Sequence, residues 1–436
     1  MDVNSINGAL SLGKLDTPGL FPHLEDLEST PHVFKVDFGL QDLPEAPGIL
    51  LIRGARQYGK STWLEGRLRD TVSRHGPGSA YYLNGDEIRD TKNLVQAIRS
   101  LAPLFRPGAR VHRLFIDEIT AVPEWERGLK QLVDAGELRG VLVVTTGSKA
   151  HDLRQGAERL PGRKGKLGRT VYLFTPVSYT EFKRVCGSEL GDRTLAAYML
   201  SGGSPVALAQ LALQRRLPEF VVEMTRDWVY GECAASGRSR HSLLAVLDCL
   251  TRHGASPLSQ AKLARESGLA NNTVAAGYLD LLADLLCLAT SYSWDSSRKV
   301  QLARRPAKRP FINSLAAVAW HPANLRHVDD MMNLPPSLEG CFQEWLVAQE
   351  IWRRRAKKGS ELPEVLSFWQ SKEHEIDFVL DDSEFLEVKS GASSPLEFAW
   401  FAKVFPKGRL RVINRNRFEA ARIAGMTLED FLLEEP

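Results

Sequence analysis

Ile49-Leu50-Leu51-Ile52-Arg53-Gly54-Ala55-Arg56-Gln57-Tyr58-Gly59-Lys60-Ser61-Thr62 decides the fold of this chain. Gly54 to Ser61 fit the phosphate-loop pattern G-x-x-x-x-G-K-[ST]. The apolar run before them reads as a buried strand, and Thr62-Trp63-Leu64-Glu65 onward reads as a helix. Glycines let such a loop curl so that backbone N–H groups face phosphate oxygens, and the helix N-terminus adds its positive end. The stretch predicts ATP contacts from Gly54, Gln57, Gly59, Lys60, Ser61 and Thr62. Lys60 would reach the β- and γ-phosphates, and the Ser61 hydroxyl would hold Mg²⁺. The bland alternative is a glycine turn before an ordinary helix. Strand, motif and helix in unbroken succession favour the nucleotide.

A phosphate loop calls for an acidic partner on a neighbouring strand. Leu114-Phe115-Ile116-Asp117-Glu118 supplies one. Asp117 is expected at the strand's C-terminal end, where parallel α/β sheets bind ligands, as a Mg²⁺ ligand. Glu118 is expected to polarise the attacking water as general base. Taken alone, an apolar run ending in Asp-Glu is an ordinary strand end. A third run, Val141 to Thr146, leads into Gly147-Ser148, where a hydroxyl would sense the γ-phosphate or merely cap a turn. Past it, Arg163 in Leu160-Pro161-Gly162-Arg163 would act on a neighbouring subunit's ATP, or be one more cation in the run Arg163, Lys164, Lys166, Arg169.

The chain has 436 residues, 43% hydrophobic and 25% charged, with a net charge of +3. That length suits roughly three domains of about 150 residues. The composition is that of a globular protein and excludes a polycation. No apolar run is long enough to span a bilayer, and the Met1-Asp2-Val3-Asn4 start is no secretory signal. Five scattered cysteines (186, 233, 249, 287, 341) without C-x-x-C spacing point to reduced thiols and a cytoplasmic location, with no zinc site.

Five segments follow from the patterning. Residues 1–30 read as a loosely packed lead-in, and 31–185 as the parallel-sheet ATPase core. Residues 186–240 read as a helical lid or linker broken at Ser201-Gly202-Gly203-Ser204-Pro205. In 241–325 three helices, Leu243 to Leu250, Ser259 to Glu266 and Asn271 to about Leu286, have helix-turn-helix spacing. A wing hairpin is expected from Cys287 to Leu302. The third helix opens on Asn271, Asn272 and Thr273, without an arginine for guanine readout. Arg298, Lys299, Arg304, Arg305, Lys308 and Arg309 on the wing and its exit favour phosphate contact, hence nucleic acid, with DNA favoured. Such modules also dock proteins, so a protein partner stands as the competing reading.

Residues 326–436 carry a second constellation. Glu375-Ile376-Asp377-Phe378 and Phe385-Leu386-Glu387-Val388-Lys389 read as a hairpin that brings Asp377 near Glu387 and Lys389. Two carboxylates, Asp377 and Glu387, would hold Mg²⁺ while Lys389 orients or deprotonates water, as in the PD-(D/E)xK nuclease core. A solvated hairpin with an acid–lysine pair would show the same residues. The basic run Arg353 to Lys358, closing the helix that starts near Leu338, suits a phosphate backbone or a cationic helix end.

Together these pieces resemble the bacterial and archaeal AAA-type ATPases that carry a C-terminal domain of unknown function with a nuclease-like motif. The resemblance runs from about residue 31 to the end. It rests on the 54–62 loop, Phe115-Ile116-Asp117-Glu118-Ile119, Thr146-Gly147-Ser148, Leu160-Pro161-Gly162-Arg163, Tyr198 to Pro205, Lys308-Arg309-Pro310-Phe311-Ile312-Asn313 and the two C-terminal strands. It implies a RecA-like core, a winged helix and a restriction-endonuclease-like C-terminal fold, all in an α/β class. Two positions depart from the family pattern. Gln343 stands where a metal-supporting glutamate is expected, with Glu344 about 100° round the helix, and Asn313 replaces an aspartate. The resulting expectation is an ATP-hydrolysing switch associated with nucleic acid. An ATP-gated Mg²⁺ nuclease and a non-enzymatic protein-docking platform are the alternatives. A homo-oligomer follows if Arg163 serves a neighbour's ATP.

Overall fold

The computed structural model describes residues 1–148 and 167–434. The chain divides into two compact units, residues 1–175 with 357–359, and residues 176–356 with 360–436.

The first unit is built on five strands, β1 (Gly48–Gly54), β2 (Ala80–Asn84), β3 (His112–Asp117), β4 (Val141–Gly147) and β5 (Val171–Phe174). They form one sheet in the order β2-β3-β4-β1-β5, and every pairing is parallel. β1, β3 and β4 are apolar runs rather than alternating ones because both faces of such a sheet are covered. One face carries Ile49, Leu51, Ile116 and Val143, packed with Leu94, Ile98, Leu129 and Leu132. The last four lie on α4 (Thr91–Leu101) and α5 (Trp125–Asp134), and α3 (Lys60–His75) precedes both in the chain. α3 buries Leu64, Leu68 and Val72.

The amino-terminal residues are not the loose lead-in their weak periodicity suggests. They form α1 (Val3–Leu12) and α2 (Pro22–Glu28). Asn7 on α1 accepts from Tyr82 N and donates to Tyr82 O, both at 2.8 Å. One side-chain amide thereby pairs with both backbone groups of Tyr82 on edge strand β2, which helps to cover that edge. α2 is tied to α3 through His23 Nδ1 and Glu65 Oε1, 2.6 Å apart.

The second unit begins with α6 (Tyr179–Leu190), α7 (Thr194–Ser201), α8 (Pro205–Gln214) and α9 (Glu219–Ala235). The expected break falls between Ser201 and Pro205, where Gly202 and Gly203 take left-handed backbone angles. Then come α10 (Arg240–His253), α11 (Gln260–Glu266) and α12 (Asn272–Asp284), followed by the antiparallel hairpin of β6 (Thr290–Asp295) and β7 (Val300–Gln301). The chain returns along β6, with Lys308 bridging Ser291, into α13 (Ser314–Trp320), α14 (Val328–Met332) and α15 (Pro336–Lys357).

β6 also pairs in parallel with β8 (Val365–Gln370), which pairs with β9 (Glu375–Ile376). The expected border at residue 325 therefore falls inside a continuous four-stranded sheet. The remaining strands are β10 (Phe378–Val379), β11 (Glu384–Val388), β12 (Arg409–Ile413), β13 (Phe418–Ala420) and β14 (Ile423–Met426). They form a mixed sheet in the order β10-β11-β12-β14-β13, and the chain ends in α16 (Phe401–Val404, before β12) and α17 (Leu428–Leu433). Among the described residues no helix is long and apolar enough to cross a membrane, and the five cysteines are free thiols.

Candidate nucleotide site and a C-terminal acidic cluster

Strand order and register put the ATP-site residues on one edge. β4 lies between β1 and β3, with Ile52 opposite Thr146 and Ile116 opposite Thr145. Gly54 and Asp117 thus both emerge at the C-terminal ends of their strands, where α/β sheets bind ligands. Two glycines of the loop are forced by geometry. A Cβ on Gly54 would lie 2.7 Å from the Phe174 Cβ, and Gly59 has φ +95°. Gln57 also turns left-handed, at φ +61°. Ser61 and Thr62 open α3, half-buried, directly after Lys60.

Lys60 is 5% exposed, and its Nζ donates to the carbonyls of Gly54 and Ala55, both at 2.9 Å. Burial pushes its ammonium down to about 8, against the opposing pull of Glu118 and Asp117. A polyphosphate beside Lys60 would hold the proton on. Free Lys60 loses its charge above pH 8 whereas bound Lys60 keeps it, so binding must then take up a proton. ATP affinity is expected to be flat below about pH 7 and to weaken about tenfold between pH 7 and pH 9. Calorimetric titration at the two pH values checks this, and equal affinities would remove Lys60 as the titrating contact.

Asp117 and Glu118 are held differently. Among the described residues both hydrogen bonds to Asp117 fall on Oδ1, one from the Thr146 hydroxyl and one from Glu118 N at 3.1 Å. Oδ2 takes neither of these bonds. Glu118 has φ +45°, a left-handed conformation uncommon outside glycine. Its Oε1 accepts from Ser148 N at 2.8 Å, Ser148 Oγ at 2.7 Å and Thr120 Oγ1 at 2.8 Å. Burial alone would raise this carboxyl, but the Lys60 charge and the bonds from Ser148 and Thr120 outweigh it and leave it lowered. The expected hydroxyl after β4 is therefore engaged with the general-base candidate. Thr120 was not singled out by sequence, since a lone threonine carries no signal, and Thr146 was noted only as part of Thr146-Gly147-Ser148. Arg163 lies outside the described residues.

The C-terminal residues converge as well. Asp377 sits just before β10 and faces Glu387 on β11: Asp377 N donates to Glu387 Oε2 at 3.2 Å, and Val388 N to Asp377 Oδ2 at 2.9 Å. Lys389 Nζ is 2.5 Å from Glu387 Oε1. Burial, then the Asp377 charge, drives the Glu387 carboxyl upward.

Three expectations need correction here. Gln343 does not leave the cluster short of an acid. It turns away to donate to Glu339 at 3.0 Å, and the buried neighbour Glu344 points into the cluster instead. Lys308 is not a solvent-facing phosphate contact. It is 2% exposed, and its Nζ lies 3.1 Å from Glu344, 2.5 Å from Glu375 and 2.8 Å from Asp377. The basic run ending α15 is also largely spent internally. Arg353 and Arg354 pair with the buried Glu350, and Arg355 donates to the carbonyls of Val365 and Leu380. Asn313 caps α13, accepting from Ala316 N at 3.2 Å, a task an aspartate would do equally.

Around the hairpin, Arg298, Arg304 and Arg305 remain exposed, whereas Lys299 pairs with Asp382 at 2.7 Å and Arg309 is half-buried. Asn271 caps α12 by accepting from Val274 N at 3.0 Å, leaving Asn272 and Thr273 exposed beside it.

The family model described as "AAA domain" matches residues 46–183. A comparison with curated proteins finds no match. Similar solved structures include the Walker-type ATPase PABY2304 of Pyrococcus abyssi, at 14% identity and a TM-score of 0.43, covering 69% of this chain and 93% of that one. The Orc1 protein of Aeropyrum pernix in complex with DNA is 14% identical over 71% of this chain and 96% of its own, with a TM-score of 0.32. A RuvB mutant of Thermotoga maritima is 13% identical over 56% of this chain and 82% of its own, also at 0.32. The parallel sheet and its loop agree with the family match: residues 46–183 of this chain match an AAA domain.

Proposed function

We propose that the protein is an ATP-hydrolysing switch that associates with nucleic acid, with Gly54, Gln57, Gly59, Lys60, Ser61 and Thr62 holding the nucleotide. The observation that carries this reading is the placement of Lys60, Asp117 and Glu118 at one C-terminal sheet edge, with Glu118 held by Ser148 and Thr120. A hydroxyl from Ser61 and the Asp117 carboxylate are an all-oxygen donor set of the kind Mg²⁺ takes. The ion would neutralise phosphate charge there. Lys60 releases two loop carbonyls to meet the phosphates, and Glu118 accepts the proton of the attacking water.

Nucleic-acid association is the second element of the proposal. α10 to α12 with the β6–β7 hairpin have the order of a winged helix, and the exposed Arg298, Arg304 and Arg305 suit phosphate contact. DNA is favoured, with a protein as the competing partner. Phosphate contact demands binding that weakens steeply with salt, and salt-insensitive behaviour would favour the protein partner.

Lys60→Ala tests the nucleotide site. ATP binding should fall at least a hundredfold while the chain stays folded, because the Lys60 hydrogen bonds go to the loop carbonyls of Gly54 and Ala55. ATP binding by Lys60→Ala as tight as in the parent would show the site to be misassigned.

A further inference from the structure

The C-terminal cluster has the acids of a metal-dependent nuclease, yet the centre of those acids is filled. We infer that Lys308 is the resident cation of this site, standing where a divalent metal would bind, so that the cluster takes up no Mg²⁺. This concerns Glu344, Glu375, Asp377 and Glu387 and does not rest on the nucleotide reading.

An ammonium has three donors. Lys308 places one oxygen each of Glu344, Glu375 and Asp377 within 3.1 Å of its nitrogen. Those are the oxygens a metal needs at about 2.0–2.1 Å for Mg²⁺. One set of oxygens cannot serve both, and a dication beside a buried ammonium would be strongly repelled. Lys389 adds a second positive charge on Glu387.

Lys308 cannot easily withdraw. Its N–H donates to Ser291 O at 2.9 Å and its carbonyl accepts from Ser291 N at 3.0 Å. Pro310 O accepts from Ala289 N at 2.9 Å, which continues the pairing. The side chain thus projects from a strand fixed to β6, the same strand that forms the hairpin after α12. The module keeps the shape and the acids of a nuclease while a lysine performs the charge compensation. That leaves binding or scaffolding as its work rather than phosphodiester cleavage.

Mn²⁺ is the probe. Free Mn²⁺ is counted by electron paramagnetic resonance against the full-length protein without nucleotide, for the parent and for Asp377→Asn, with circular dichroism to confirm folding. Equal stoichiometry is expected for the two. Lys308→Met should gain one Mn²⁺ per chain, lost again when Asp377→Asn is added. One more Mn²⁺ on the parent than on Asp377→Asn would overturn the inference. So would DNA cutting by the parent that Asp377→Asn abolishes, or a folded Lys308→Met that gains no ion. If Lys308→Met does not fold, the comparison of parent with Asp377→Asn decides alone.

Discussion

Glu118→Gln is expected to lower kcat for ATP hydrolysis by about 10²- to 10⁴-fold, the range that a positioned general base supplies, while ATP binding and the melting temperature stay near the parent's. Oε1 of Glu118 accepts from Ser148 N, Ser148 Oγ and Thr120 Oγ1, and a glutamine oxygen can accept the same three bonds. The left-handed backbone at φ +45° suits glutamine no worse than glutamate. What the amide cannot do is take a proton from water. Binding should survive because Lys60 and the loop remain intact. The measurement is single-turnover hydrolysis beside equilibrium binding of ATP. A kcat within threefold of the parent's would assign the base elsewhere. Lost binding would mean that Glu118 holds the loop rather than serving the chemistry.

The parallel sheet and its loop were legible in the sequence because their signals are local. Ile49 to Ile52, Leu114 to Ile116 and Val141 to Val144 are short apolar runs, followed within four residues by Gly54, Asp117 and Ser148. A parallel sheet buried on both faces makes such runs unmistakable, and the phosphate-loop spacing fixes the rest. The reason for glycine at position 54 was not legible, since only the structure shows that the Phe174 Cβ leaves no room for a side chain there.

The C-terminal cluster was only half legible. Asp377 facing Glu387 follows from hairpin alternation. Glu344 did not follow, because α15 buries every residue from Glu344 to Arg353. A helix covered all round offers no apolar stripe from which to read its site-facing side. Lys308 was obscured for a different reason. It sits in a cationic stretch with Arg304, Arg305 and Arg309, which reads as a solvated face. Its acidic partners Glu344 and Asp377 lie 36 and 69 residues away. The amino-terminal helices were missed because α2 buries no residue and α1 buries the polar Asn7 beside Ile6, Ala9 and Leu10, which leaves a weak apolar stripe.

Lys308→Met should destabilise the second unit by about 3–5 kcal/mol, the cost of removing one partner from a buried charge cluster. Methionine keeps an unbranched apolar stem of similar reach, so the loss measures the charge rather than a cavity. In the parent, burial alone would drive the Lys308 ammonium down, but Asp377, Glu344 and Glu375 hold it well above the usual lysine range. Burial and the Asp377 charge raise the Glu344 carboxyl well above the usual carboxylate range even with Lys308 present. Without the ammonium, the largely buried acids face one another with less compensating charge, and the cheapest relief is protonation. The deficit should therefore shrink as pH falls, as the raised Glu344 and Glu387 carboxyls take protons. Neutralising Asp377 in Lys308→Met/Asp377→Asn should recover more than half of the loss, because the two sites share one interaction. Urea unfolding followed by tryptophan fluorescence reads the effect, since Trp345 and Trp352 are buried on α15. A loss under about 1 kcal/mol would place these charges in the regime of solvated ion pairs. A full loss that Asp377→Asn does not relieve would make Lys308 a packing element rather than a counter-ion.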